Sequence, residues 1–136
     1  MNIGEVAAAS GVSAKMIRYY ESIALIPPVG RSAGGYRVYQ APDIDTLRFI
    51  HSARRVGFPV ERIRRLLALW RDKGRASADV KSLAAAHIAD LDRQIGDLQA
   101  MRRSLEHLAA RCHGDDRPDC PILDGLADPV PLGRVG

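Results

Sequence analysis

The chain has 136 residues, enough for one moderate domain or a small domain with an appended element, and only 5% are aromatic, which suits a lean helical core better than a large β-sandwich. No apolar run could span a bilayer, and MNIGEVAAASG passes straight into an amphipathic pattern without the features of a secretory signal, so the expected compartment is cytoplasmic and a membrane is not an expected partner. The net charge of +4 divides unevenly, with 13 Lys and Arg against 6 Asp and Glu in residues 1–76 and 7 against 10 in residues 77–136, which directs any polyanionic partner to the first half.

Residues 2–9 read as a short helix with Ile3, Val6 and Ala7 on one face. Gly11 suits the left-handed residue that ends it, and Ser13 can cap a second helix over 14–22. Helix, short turn with glycine, helix is the helix-turn-helix spacing. The second helix adds Lys15, Arg18 and Tyr19 at i, i+3 and i+4, a basic edge beside the apolar stripe of Met16, Ile17 and Tyr20. Such an edge is what a recognition helix needs to approach phosphates and base edges. After Pro27 and Pro28, RSAGGYRVY is expected to form a hairpin with a two-residue turn at Gly34-Gly35. Arg31 and Arg37 flank that turn, so the hairpin reads as a wing laid on the DNA backbone.

Pro42 opens a helix over 43–56 that Gly57 stops, and Pro59 opens another over 59–71. The stripe Ile63, Leu66, Leu67 and Trp70 is expected in the core, while Arg54, Arg55, Arg62, Arg64 and Arg65 read equally well as DNA-facing or solvated. Lys73-Gly74-Arg75 is a linker. From Ser77 to Arg111 there is no proline, and Val80, Ala84, Ile88, Leu91, Ile95, Leu98, Met101, Leu105 and Leu108 follow one another at steps of three or four. A long helix with so narrow an apolar seam cannot bury it alone, and a coiled coil between two copies is the natural solution. His51, His87 and His107 are scattered and read as surface or seam residues.

The only two cysteines bracket CHGDDRPDC, residues 112–120. A reduced compartment argues against a disulfide. A zinc corner, a redox switch and a soft-metal site stay open at this point. Cys120 precedes Pro121, which suits the first position of a short helix, PILDGL, and Gly114 and Pro118 allow the loop to turn tightly.

MNIGEVAAASGVSAKMIRYYE, GGYRVY, ARRVGFPVERI, SADVK and CHGDDRPDCPI together resemble the MerR family of dimeric transcriptional regulators, and the last two look like its copper-responsive CueR branch. The resemblance runs to about residue 126. It implies a homodimer whose long helices pair antiparallel. It also implies a winged helix-turn-helix on a palindromic promoter operator, and metal-driven distortion of that DNA so that RNA polymerase can engage the promoter. Carried over by position, Arg18, Tyr20, Arg31, Tyr36 and Arg37 would contact DNA, with Lys15 added from the basic edge. Periodicity places Tyr20 half in the core, whereas the family pattern gives its hydroxyl a phosphate.

The same resemblance narrows the cysteine site. Divalent-sensing relatives carry a third cysteine at the start of the long helix, contributed by the other subunit, and the matching position here is Ser77. Two thiolates alone suit Cu(I), or equally Ag(I) or Au(I), whereas aspartate oxygens are hard ligands. Two thiolates and a monovalent ion leave one negative charge, which Lys81, matching a lysine of the copper branch, would offset. A divalent metal or thiol oxidation at Cys112 and Cys120 is the alternative. His113 departs from the copper-branch pattern and is expected to be a bystander. No carboxylate pair, nucleophile–base set or phosphate loop points to an enzyme.

The resulting expectation is a mainly α protein. Residues 1–73 form a winged helix-turn-helix DNA-binding domain and 74–111 a linker and dimerisation helix. Residues 112–126 form a metal-binding loop with a short helix, and 127–136 a flexible tail.

Overall fold

A computed structural model describes residues 1–128, and the expected tail beyond Asp128 lies outside the described residues. The chain divides into two compact units, Met1–Leu83 and the remainder from Ala84.

In the first unit, α1 spans Ile3–Ser10 and α2 Ala14–Ser22. Reciprocal bonds at Asn2 and Glu5 open α1: the Glu5 N–H donates to Asn2 Oδ1 at 2.9 Å, and the Asn2 N–H to Glu5 Oε1 at 3.2 Å. Gly11 closes it at φ +80°, where its N–H reaches the Ala7 carbonyl. Ser13 Oγ then accepts the Met16 N–H at 3.2 Å and starts α2, as its position suggests. Helix α3 covers Ala41–Arg55 and α4 Val60–Arg71. α3 begins two residues before the expected start, because Asp43 accepts the Gln40 N–H at 2.8 Å and draws Ala41 and Pro42 into the first turn.

The core gathers Val6, Ile17, Tyr39, Leu47, Ile50, Ile63 and Leu67, all under 3% exposed, from all four helices and the segment before α3. Trp70 is a correction. It is 43% exposed and stacks on Phe49 with centroids 4.5 Å apart, because the apolar stripe of α4 runs past the edge of the core.

Three arginines at or near the surface also brace the fold. Arg48 Nε donates to the Ala9 carbonyl at 3.1 Å, at the end of α1. Arg54 Nη1 donates to the Phe58 carbonyl at 2.9 Å and braces the α3–α4 turn. Arg64 donates to the carbonyls of Ala24 and Ile23, both at 2.9 Å. That grip matters because Ala24 sits at φ +57°, a left-handed conformation costing a non-glycine residue roughly 1–2 kcal/mol.

Helix α5 runs Ser77–Ala110 and α6 Pro121–Ala127, one residue beyond the expected helix. Gly125 permits α6 to lie on the end of α5: a Cβ there would stand 2.5 Å from Leu108 Cδ2. His87 is buried, whereas His107 is exposed.

Candidate nucleic-acid interface and thiol loop

Because Ile17 and Tyr20 bury the inner face of α2, its outer face presents Lys15, Arg18 and Tyr19 to solvent. The wing follows after Pro28, but not as a two-residue hairpin. A single antiparallel bridge joins Arg31 to Arg37. Between them the Gly35 N–H donates to the Ser32 carbonyl at 2.9 Å, and the Ser32 N–H to the Tyr36 carbonyl at 2.7 Å. Of the two glycines only Gly35, at φ +82°, is left-handed, whereas both favoured two-residue hairpin turns need positive φ at the first central residue, here Gly34. The loop is therefore longer, and it carries Tyr36 at 76% exposure on its far side.

Arg18 from α2 and Arg31, Gly35, Tyr36 and Arg37 from the wing line one depression of about 150 Å3, with Asn2 and Ile3 at its edge. Four of the six residues expected to contact DNA thus converge. Lys15 is exposed on α2 but does not line the depression. Tyr20 is 4% exposed, so most of its ring belongs to the core, as periodicity indicates. Arg31 is braced by a bond from its Nη1 to the Gly35 carbonyl at 3.0 Å.

One residue at this face carries no signal in the sequence pattern. Glu21, in the last turn of α2, places Oε2 2.9 Å from Arg37 Nε, with only 11% of its side chain exposed. The Nε–H does not point along this line, so the contact is an ion pair more than an aligned hydrogen bond. The Tyr39 hydroxyl donates to the same oxygen at 3.5 Å, and the Val29 N–H to Oε1 at 3.4 Å. Burial, then the negative charge of Glu21, push the Tyr39 phenol above its ordinary range.

In the second unit Cys112 lies two residues past the end of α5, with its N–H donating to the Ala109 carbonyl at 3.1 Å. Cys120 is the cap of α6, and its carbonyl accepts the Asp124 N–H at 3.0 Å. Both are free thiols and half-buried. Between them Gly114 turns the chain at φ +67°, and Arg117 engages both oxygens of Asp115, through its backbone N–H at 3.0 Å and its Nε at 2.8 Å. One of the three loop aspartates is thereby committed to an arginine, and His113 is exposed. Among the described residues, no three His, Cys, Asp or Glu side chains form a group that could hold a metal ion. Ser77 opens α5 and Lys81 follows one turn later; both are exposed and belong to the unit ending at Leu83.

Comparison with known proteins adds to this geometry. A family model described as MerR HTH family regulatory protein matches residues 1–70, and one described as MerR, DNA binding, matches residues 44–108. The heavy metal-dependent transcription regulator 2 of Rhizobium meliloti (strain 1021) is 59% identical over 128 residues, covering 94% of this chain and 87% of that protein. The HTH-type transcriptional regulator CueR of Yersinia pestis is 43% identical over 127 residues, covering 93% and 91% respectively. A crystal structure of a transcription regulator from Ralstonia metallidurans CH34 in complex with lead(II) matches with a TM-score of 0.78 at 32% identity, covering 93% of this chain and 98% of that one. None of the described helices is long and apolar enough to cross a membrane.

Proposed function

This chain belongs to the MerR family, DNA-binding regulators that act on promoters as dimers and are not enzymes, and from that premise we propose that it is a transcriptional activator switched by a monovalent soft ion, Cu(I) or equally Ag(I) or Au(I). It is a metal-responsive member of that family, as the heavy metal-dependent relative and CueR indicate together. Residues 1–73 would hold the operator, 74–111 pair the two copies, and 112–126 take the ion.

The observation that carries the choice of ion is the donor set. Cys112 and Cys120 are free thiols at the two ends of one loop, while Asp115 is turned to Arg117. Two thiolates satisfy a monovalent filled-shell ion without further help, whereas a divalent ion wants three or four donors. Ser77, at the start of α5, offers a hydroxyl where a third thiolate would be needed. Lys81, one turn on, would offset the remaining negative charge. In this reading the ion draws the end of α5 and the start of α6 together. The dimer then distorts its operator so that RNA polymerase engages the promoter, and metal-efflux or detoxification genes are switched on.

The lead(II) complex of the Ralstonia relative favours a second reading, a divalent ion at the same cysteines. An anaerobic Cu(I) titration against a competing chelator tests the first, with one ion per subunit expected. Ser77→Cys separates the two readings: it is expected to confer a transcriptional response to zinc or mercury that the native protein lacks. A native protein that already responds to them, or a variant that gains nothing, would refute the donor-count argument.

On the DNA side, Arg18→Ala is expected to weaken binding to an operator selected by the native protein from random duplex DNA. The slope of log affinity against log salt should fall by about 1, as for one lost phosphate contact. Fluorescence anisotropy across a salt series measures it, and an unchanged slope would remove Arg18 from the interface.

A further inference from the structure

We propose that Glu21 is a positioning residue of the DNA interface: its carboxylate ties the wing to the recognition helix and holds Arg37 where a phosphate can meet it. The inference rests on the DNA-contacting roles proposed above for Arg18 and the wing.

An acid at this place needs explaining. The first half of the chain is basic, and a carboxylate beside Arg37 would by itself repel the phosphates that residue attracts. It would also be costly to bury without compensation, yet its side chain is only 11% exposed. Among the described residues, the ion-pair and hydrogen-bond partners of its carboxylate come from the segment that follows α2. Arg37 Nε lies 2.9 Å from Oε2, the Tyr39 hydroxyl donates to that same oxygen at 3.5 Å, and the Val29 N–H reaches Oε1 at 3.4 Å. These three groups come from the beginning, the return limb and the end of the wing segment. The Arg31–Gly35 and Ser32–Tyr36 bonds stay inside the loop and shape the wing. Reciprocal backbone bonds between Met1 and Tyr39 tie the end of the segment to the N-terminus, whereas the Glu21 contacts tie it to the recognition helix itself.

Aiming is what the interface requires. The depression holding Arg18, Arg31, Tyr36 and Arg37 is assembled from α2, the wing and the start of α1, and it exists only while α2 and the wing keep their spacing. Glu21 belongs to the first element and grips the second. A guanidinium offers five N–H donors in a fixed fork. With Nε drawn to Glu21, the guanidinium is held close to the recognition helix, and its remaining N–H groups can meet a phosphate. The poor alignment of the Nε–H makes the attraction mainly coulombic, so the charge of Glu21 should matter more than its hydrogen-bonding shape.

The experiment uses the full chain and four variants: Glu21→Ala, Glu21→Gln, Arg37→Ala and Glu21→Ala with Arg37→Ala. Affinity for the selected operator and for a non-operator duplex is measured across a salt series, with thermal melts in parallel. The positioning role predicts that Glu21→Ala and Glu21→Gln each weaken operator binding about tenfold and lower the salt slope by about 1. The double variant should bind no worse than the weaker single one, because both substitutions remove the same contact. Melting temperatures should change little for Glu21→Gln, which keeps the side-chain volume and remains informative if Glu21→Ala folds poorly.

A merely repulsive acid predicts the opposite sign, with both duplexes bound more tightly once the charge is gone. That outcome, or additive losses in the double variant, overturns the proposal. If Arg37→Ala itself leaves affinity and slope intact, the wing reading underneath has failed, and the proposal falls with it. If Arg37→Ala weakens binding while Glu21→Ala and Glu21→Gln do not, the wing reading stands and Glu21 alone is misassigned.

Discussion

Substituting Ser for either Cys112 or Cys120 is expected to abolish metal-dependent transcription while operator binding by the metal-free protein stays within about twofold. A two-donor site has no redundancy. Serine replaces a soft, readily ionised sulfur with a hard hydroxyl that stays protonated near neutral pH, so the remaining thiolate is left as a single ligand. Loss of an outer-sphere partner already costs metal sites roughly 10–100-fold in affinity, and loss of one of only two direct donors should exceed that. The fold has little reason to suffer. Both side chains are half-buried rather than packed in the core, and neither belongs to the unit Met1–Leu83 that carries Arg18 and the wing. In vitro transcription with and without Cu(I), beside anisotropy on the selected operator, reads both arms. Activation that persists in both serine variants would sink the site. Loss of operator binding along with activation would mean the loop has a structural duty that two free thiols do not reveal.

The features legible in the sequence were those set by local chemistry. Ser13, Gly11, Pro42, Pro59 and Gly57 mark helix ends because a cap, a left-handed residue or a missing N–H acts within a turn or two of where it stands. The seam of α5 was visible for the same reason: a repeat of three and four residues is a property of one helix. Features that depend on distant segments were not visible. Arg48, Arg54 and Arg64 look like Arg55 and Arg65 along the chain. Only folding brings Arg48 and Arg64 to backbone carbonyls roughly forty residues away. Trp70 sits in phase with Ile63 and Leu67, but periodicity names a face without saying where the core beneath it ends. The wing failed in a third way. Gly34-Gly35 permits a two-residue turn, and the chain instead uses Gly35 alone in the left-handed region of a longer loop. At the interface, basic residues could be read from their spacing on α2 and around the glycines. Glu21 could not, since its meaning lies in Arg37 and Tyr39, sixteen and eighteen positions further on.

The seam of α5 supports the other large expected effect: Leu98→Asp should dissociate the dimer without unfolding the chain. In the single chain Ile88, Ile95, Leu98 and Leu105 are each more than half exposed on one helix, and Leu98 reaches 63%. An aspartate there meets water in the monomer, and the change in helix propensity costs at most about 0.7 kcal/mol. Pairing reverses the balance. Covering the exposed part of a leucine contributes on the order of 1 kcal/mol, and two-fold symmetry counts each substitution twice. The variant loses that contribution on both chains and adds two carboxylates to an apolar seam, where an unpaired polar group costs at least about 1 kcal/mol more. Dimerisation should therefore weaken by about 100-fold or more. Sedimentation equilibrium measures the shift, and circular dichroism checks that helix content survives. A palindromic operator engaged by two recognition helices should then be bound far more weakly at protein concentrations where the native chain is dimeric, because the second half-site no longer adds to the first. Leu98→Ala should produce a smaller shift in the same direction, since it removes contact without adding charge. If Leu98→Asp remains dimeric at native concentrations, the copies pair through a surface other than this seam, and the coiled-coil reading of α5 fails.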